Sequence, residues 1–597
     1  MTTQQPTQPD DTCYVLQIGS YDIKYGSSDF DAPKSCPNCV AFPTDSSKAT
    51  VKKFPKKQGV REKQLIRIRG QLLADRGIIS KDDIEKDTYF EKISIKERSA
   101  IEEHPSSHIL HSPTKHRNLP IHNLLGSNTS FQYVLPVVSD LLVGQDALDK
   151  CKEENVEGVI PNYELFHVFW KGRLNVDRNN SITVAKALDC VEALFSHIFK
   201  SRMSLTQDKI NTSSLILITP DQMIDQAEHI DLLSVLDVLF HRIGFQNIII
   251  QRESVAATFG AGVSNVCVVD MGESKTSISM VDDGELVSSI DYVCGGYHII
   301  QTLLFILNQS QLPLPGVNTD AHINDRQALR SIMETHCNAD VKGSEKESYR
   351  LVEFLDRRNR TKYKMEVGDP LYISTLAYFN PKLLGKNRQE GPLDVHFSSK
   401  AEEESSDVHH EETVTDAEHF LSTKNFKSLS QQVISSQDDA LLEAISSTKK
   451  KRNGKKTEIA EAAEASSLKD KKAKVIPGLD RLVVKVLKKS GIEFSKTSSK
   501  GRKQQVNILL VGGCSQIKEF PNLLKTKIEE HLTNKLKITN IQLNISSNDR
   551  DKGTDVRFMS WTGGCVLSQL ESAKEMYITR QEYSAQGIKV VLERSPI

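Results

Sequence analysis

Along most of the 597-residue chain, short apolar runs alternate with stretches of helical spacing. Tyr14–Gly26 (YVLQIGSYDIKYG) reads as an apolar strand, a glycine turn and a second strand, and Val266–Ser279 (VCVVDMGESKTSIS) has the same shape. In each, a glycine follows two residues after a candidate carboxylate position, and a polar residue follows the glycine. The two segments lie roughly 250 residues apart, too far for a solenoid repeat. That spacing suits a duplicated domain whose copies each open with a hairpin. Between them, Ile182–Ile198 carries apolar residues at helical spacing. Ser213–Thr219 is a short apolar run ending at a Pro220-Asp221 turn, which predicts a buried strand. His229–Ile243 predicts an amphipathic helix stopped by Gly244, and Gln246–Gln251 a second buried strand. This alternation predicts α/β layers. Further on, Ile476–Lys489 reads as an amphipathic helix, and the strand Val506–Val511 runs into Gly512-Gly513.

Two stretches break the pattern. From Lys386 to Lys474 there is no sustained apolar periodicity. An acidic run (Glu402–Asp407), a His409-His410-Glu411-Glu412 group that reads as solvated, a basic run (Lys449–Arg452) and an Ala/Glu/Lys segment (Glu458–Lys474) follow one another. The expectation is a disordered charged insertion over 386–475, with the Ala/Glu/Lys part a candidate exposed helix. A second insertion is expected over about 46–139. Its first part, Lys48–Arg69, holds nine Lys/Arg and one Glu. Clustered cations attract phosphate backbones through counterion release, so Lys52, Lys53, Lys56, Lys57, Arg61 and Lys63 are candidate nucleic-acid contacts. A solvated loop is the plainer alternative. The run Lys449–Arg452 is readable as a nuclear-localisation signal, a DNA contact or a charged linker, and Lys449–Lys456 is a second candidate for touching DNA phosphates. The expected organisation is a disordered 1–12, a first half over 13–262, the start of a second half over 263–385, the insertion over 386–475, and over 476–597 the rest of the second half with a return to the first.

Composition narrows the function classes. With 77 Lys+Arg against 78 Asp+Glu the net charge is -1, so any nucleic-acid surface is local. Apolar residues make up 38%; adding the glycines gives about 43%, slightly below an average globular chain, as a folded body with polar insertions would have. No run of 18 apolar residues is present, so no membrane span is expected. The opening MTTQQPTQPDD has neither the basic nor the apolar region of a secretory signal. Ten cysteines are too sparse for a disulfide scaffold. The lone Cys36-Pro37-Asn38-Cys39 lacks the second pair that zinc requires.

A hairpin with a tight glycine turn lets backbone N–H groups approach phosphate oxygens. A strand followed by Gly-Gly lets the backbone lie flat against a base or ribose. Gly19-Ser20, Gly272-Glu273 and Gly512-Gly513 are such elements, in that order. The segment Trp561–Tyr583 (WTGGCVLSQLESAKEMYITRQEY) resembles the C-terminal segment of actin. Glu253–Gly262 (ESVAATFGAG) and Asp270-Met271-Gly272 resemble the approach to actin's second phosphate hairpin. The resemblance implies the actin-like fold of the actin/hsp70/sugar-kinase superfamily: two α/β halves around a nucleotide cleft, each carrying a smaller subdomain.

Within that superfamily the chain is most similar to a nuclear class of actin-related proteins. The cues are Gly19-Ser20 without a preceding aspartate, Gln251–Val255, Asp270–Glu273, the insertion ahead of Gly478-Leu479-Asp480, and Gly587-Ile588-Lys589 with Glu593-Arg594. The resemblance implies a non-filament scaffold subunit of the INO-eighty chromatin-remodelling complex, located in the nucleus. Its implied partners are a Snf2-type motor subunit, nuclear actin, another actin-related protein, nucleosomes, histones and DNA. Roles in transcription and DNA repair are implied with them.

Several matched positions depart from actin. The aspartate that orders metal-bound waters corresponds to Gln17, a neutral amide. Tyr21 replaces a turn glycine and should crowd the phosphates, while Lys24 matches the phosphate-facing lysine. Asp270 and Gly272 remain in the second hairpin, but Glu273 replaces Asp and Ser274 replaces Gly. The Gln and His near the attacking water correspond to Glu253 and Ser277. Serine lacks the acid/base range of imidazole, and a carboxylate beside a polyanion is costly. Slow or absent hydrolysis is therefore expected. On the adenosine side Glu334 is kept beside Met333, and Gly512 and Gly513 precede Cys514. ATP, with or without Mg2+, is the implied cofactor, bound by Gly19, Ser20, Lys24, Asp270, Gly272, Glu273, Glu334, Gly512 and Gly513. The alternatives are turn glycines and a turn-capping Asp270 that serve the fold alone, an active ATPase, or a cytoskeletal relative.

Overall fold

The computed structural model describes residues 12–43, 141–154, 163–176, 183–225, 229–309, 317, 323–340, 350–356, 361–384, 395–398, 477–492, 504–547 and 555–595, and parts of 61–71 and 107–115. Lys52, Lys53, Lys56, Lys57, Lys63, the group at 409–412, the basic segment at 449–456 and the Ala/Glu/Lys segment at 458–474 lie outside the described residues.

Two six-stranded sheets carry the molecule, and they share one plan. In the first, Asn247–Arg252, Ser214–Thr219 and Cys13–Gln17 run parallel, and Asp22–Ser27 and Lys34–Pro37 continue the sheet antiparallel. In the second, Ile541–Ser546, Gln504–Val511 and Asn265–Met271 run parallel, followed antiparallel by Thr276–Asp282 and Glu285–Tyr292. Each sheet thus places its hairpin beside a pair of parallel strands; Ser214–Thr219 and Asn247–Arg252 are buried, which explains why they read as near-continuous apolar runs. The two halves form the two-lobed, actin-like α/β fold.

Helices cover both sheets. Val184–Ser196 starts at Thr183, whose side chain accepts from Lys186 N, and buries Ala187, Cys190, Val191, Leu194 and Phe195. That set repeats at three and four residues, one face of a helix. Burying each large side chain contributes about 1.5–3 kcal/mol. At the chain's end, Met559–Gln569 crosses the helix Glu253–Ala261 backbone to backbone: a Cβ at Gly563 would fall 1.7 Å from Ala256 O. Only glycine permits this crossing. Trp561, 1% exposed, donates from Nε1 to Val15 O at 3.3 Å, and Ile578–Thr579 joins the first sheet beside Asn247–Arg252.

Two findings depart from the sequence expectation. Val395–Ser398, inside the stretch expected to be disordered, pairs antiparallel with Glu285–Tyr292 at the edge of the second sheet. Its sequence, VHFS, has the alternation of an edge strand, too short to register against the charged residues around it. The described parts of the basic insertion, expected to belong to the first half, pack against the second. Leu65 and Ile68 are buried in the core cluster of the second lobe. Ser107–Ile109 and Thr114–Lys115 pair with Thr361–Val367. Arg61 donates from Nε to Leu383 O at 2.8 Å and stacks on the Phe305 ring at 4.3 Å. Its Nε and one face of its guanidinium are thus engaged by the second lobe.

Candidate functional site

The two hairpin turns meet between the lobes. Ser274 Oγ donates to Ser20 Oγ at 2.6 Å and accepts from Lys171 N at 2.9 Å. Arg330, on the helix Ile323–His336, forms an ion pair with Glu273, stacks on the Tyr21 ring at 3.8 Å, and reaches Glu334 at 3.8 Å. Higher in the cleft, Trp170 meets Tyr297 edge-on at 5.4 Å, and Arg326 lies 3.3 Å from His167 Nε2. Burial, with Arg326 beside it, lowers the His167 pKa to about 4. The neutral ring therefore donates from Nδ1 to Asn38 O and accepts at Nε2.

At the floor, Gln17 and Lys24 face each other across the first hairpin, and Asp270 and Ser277 across the second. Gln17 Oε1 is buried without a hydrogen-bond partner. Lys24 is only half-buried by exposure but deep in the cleft; burial lowers its pKa against the attraction of Asp270, Asp22 and Glu253. Among the described residues neither Lys24 nor Asp270 makes a side-chain hydrogen bond or ion pair. Burial raises the Asp270 pKa, and raises Asp22 to about 6, both against Lys24. Gly512 has φ +88, and a Cβ there would fall 2.4 Å from Asp270 Oδ1, so this turn requires glycine. A Cβ at Gly513 would meet nothing within 4 Å.

Lys275 was not a candidate from sequence, yet it organises the far end of the floor. Its Nζ lies 2.9 Å from Glu253, 3.1 Å from Asp291 and 2.6 Å from Ser277 Oγ. Ser277 and Asp291 are cross-strand partners, and Ser277 Oγ donates to Asp291 at 2.7 Å. Ser279, two residues on, donates to Asp221 of the first lobe at 2.8 Å. Burial of Lys275 disfavours its charge, but Asp291 and Glu253 outweigh that and raise its pKa. Burial raises Glu253 to about 7 even with Lys275 opposing. The signal was partly present: the two-residue period places Ser277 and Ser279 on one face of the strand Thr276–Asp282, and Lys275 directly precedes that strand.

Contacts among the hairpin turns and the Gly512-Gly513 loop bring most of the candidate cofactor residues together. Gly19 sits in the first turn, where a Cβ would fall 2.5 Å from Asp22 O. Gly272 O accepts from Gly296 N and from Cys514 Sγ, tying the second turn to the Gly512-Gly513 loop. Glu273 is bound to Arg330, and Glu334 lies at the exposed rim. The Lys24 ammonium group, without a side-chain partner among the described residues, lies in the same site as the open face of Gly513 and fits an anionic ligand. At the opposite end, Lys275 engages Glu253 Oε1, Asp291 and Ser277 Oγ.

A sequence profile of the actin family matches residues 157–355 and 441–596. The chain belongs to the actin family. It is similar to actin-related protein 8 of Drosophila pseudoobscura pseudoobscura, 26% identical over 467 residues, spanning 73% of this chain and 72% of that protein. The Drosophila melanogaster protein of that name is 25% identical over 461 residues, spanning 73% and 71%. Among solved structures, human actin-related protein Arp8 in its ATP-bound state shares the fold, with a TM-score of 0.65 and 18% identity over 99% of this chain and 98% of that one. No helix among the described residues is long and apolar enough to cross a membrane.

Proposed function

We propose that this protein is a nuclear scaffold subunit of an INO-eighty-type chromatin-remodelling complex, in which ATP braces the two lobes and is turned over little or not at all. The observation that carries the reading is the commitment of Glu253 and Ser277 to Lys275. In actin the matching positions attend the attacking water; here Glu253 Oε1 and Ser277 Oγ both bind an internal ammonium group. General-base catalysis needs a group within reach of the water's proton and free to take it. The likeness to actin-related protein 8 across nearly three quarters of the chain supports the chromatin setting. Lys24, Asp270, Gly512 and Gly513 are the residues that would hold the nucleotide. A ligand bound only by the folded chain stabilises it by mass action, which is the work assigned to ATP here. The partners proposed are a Snf2-type motor subunit, actin, a second actin-related protein, histones and DNA.

The test is affinity purification of the tagged chain from nuclear and cytoplasmic extracts. Recovery of a Snf2-type motor with actin and histones from the nuclear fraction is the expected result. Recovery of cytoskeletal proteins alone would overturn the chromatin assignment. Phosphate release well above a denatured control, abolished by Asp270→Ala, would overturn the non-hydrolytic part.

A further inference from the structure

Five carboxylates, Asp22, Asp221, Glu253, Asp270 and Asp291, gather around the cleft floor, faced by the ammonium groups of Lys24 and Lys275. A divalent cation would need oxygen ligands of this kind on all sides. Here a side chain of the protein occupies the middle of the set. Lys275 Nζ contacts Glu253 from the first lobe and Asp291 and Ser277 from the second. Its stem is penned in by the first lobe, because a Cβ at Gly172 would fall 3.0 Å from Lys275 Cε. Asp270 feels the charge of both Lys275 and Lys24. Gln17, at the corresponding end of the other hairpin, brings no charge, and its Oε1 is unpaired. Among the described residues no three His, Cys, Asp or Glu side chains are arranged to hold a metal ion.

We propose that Lys275 is the resident cation of this cleft and stands where a divalent metal would otherwise sit, so that the nucleotide binds without Mg2+. A fixed ammonium group and a divalent cation cannot share the same carboxylates without strong like-charge repulsion. Lys24, unpaired beside it, is then the cation left for the phosphates. The inference rests on the nucleotide reading above, but its core claim concerns the metal and can be tested apart from it.

The experiment measures ATP binding to the full chain by titration calorimetry, in millimolar MgCl2 and in EDTA. The wild type should bind with dissociation constants that agree within about threefold, and a loss of about tenfold or more in EDTA would overturn the proposal. Lys275→Gln alone strands buried carboxylates and is at risk of not folding. The double variant Lys275→Gln with Glu253→Gln removes one acid with the base. It should bind ATP about tenfold more weakly in EDTA than in MgCl2. Equal binding in the two buffers would show that Lys275 had not displaced a metal. A second readout needs no nucleotide: the melting midpoint of the wild type should be the same in MgCl2 and EDTA, while that of the double variant rises with MgCl2. A metal-dependent rise in the wild type would overturn the proposal. Failure of ATP to bind in either buffer would overturn the brace instead, and the melting comparison would still decide the role of Lys275.

Discussion

Ser274 Oγ lies 2.6 Å from Ser20 Oγ, so a single hydroxyl joins the turn of one hairpin to the turn of the other. The same oxygen accepts from Lys171 N. Ser274→Ala therefore removes two partners at once, whereas Ser20→Ala removes one. Leaving the Lys171 N–H unsatisfied at a half-buried site costs about 1–2 kcal/mol. The expected outcome is a lower denaturation midpoint for Ser274→Ala than for Ser20→Ala, with faster amide exchange at both turns. Equal effects of the two substitutions would mean that the Lys171 contact contributes nothing.

The acid cluster sets a pH dependence of definite sign. Glu253 is raised by burial to about 7, above its ordinary carboxylate value. In the range between those values the folded chain holds a proton that the unfolded chain has lost. Stability from this group is thus fully present below the unfolded pKa and is lost as pH rises through about 7. Asp22, raised to about 6, acts in the same direction. Glu253→Gln should flatten the fall in melting midpoint between mildly acidic and mildly alkaline buffer, by an amount worth roughly 1–3 kcal/mol. Parallel pH profiles for wild type and variant would contradict the raised pKa.

The hairpins and the Gly512-Gly513 loop were legible in the sequence because each is a local pattern: an apolar run, a glycine turn, and a run of period two. Pairing across distance was not legible. Lys275 gains its meaning from Glu253 and Asp291, which reach it from a helix and from a neighbouring strand. Arg330 gains its meaning from Tyr21 and Glu273, held on separate hairpins. Helical spacing of Arg330 and Glu334 was readable, but nothing local says that a guanidinium there closes onto an aromatic ring in the other half. The basic insertion misled for a related reason. Its composition is that of a solvated loop, while Leu65 and Ile68 within it are core residues of the opposite lobe.

That burial separates two roles for the insertion's cations. Arg61 is held by Leu383 O and by the Phe305 ring, and burial lowers its pKa to about 10. Arg61→Ala should cost about 1–2 kcal/mol through the lost hydrogen bond and cation–π contact. It should leave the affinity for duplex DNA, and its salt dependence, unchanged. If the lysines at 52, 53, 56 and 57 carry phosphate contacts, neutralising them together should instead reduce the slope of affinity against salt. A DNA-binding loss on Arg61→Ala without a loss of stability would reverse the assignment.

Two glycines make opposite predictions for one added methyl group. At Gly563 a Cβ would lie 1.7 Å from Ala256 O, a backbone atom in the middle of the crossing between the two helices. The neighbour cannot swing aside as a flexible side chain would, so Gly563→Ala should separate the helices. Overpacking of this kind costs about 1–3 kcal/mol or more, and the variant should melt much lower or accumulate unfolded. At Gly513 the same Cβ meets nothing within 4 Å, and the backbone there is not left-handed. Gly513→Ala should leave the melting midpoint of the nucleotide-free chain within about a degree or two, because no contact is strained. Its methyl group instead enters the open face beside Gly512, where the nucleotide is proposed to lie. ATP titration of Gly513→Ala should therefore show weaker binding by about tenfold, with the stabilisation by saturating ATP reduced in step. Unchanged affinity in a normally folded Gly513→Ala would place the ligand elsewhere in the cleft.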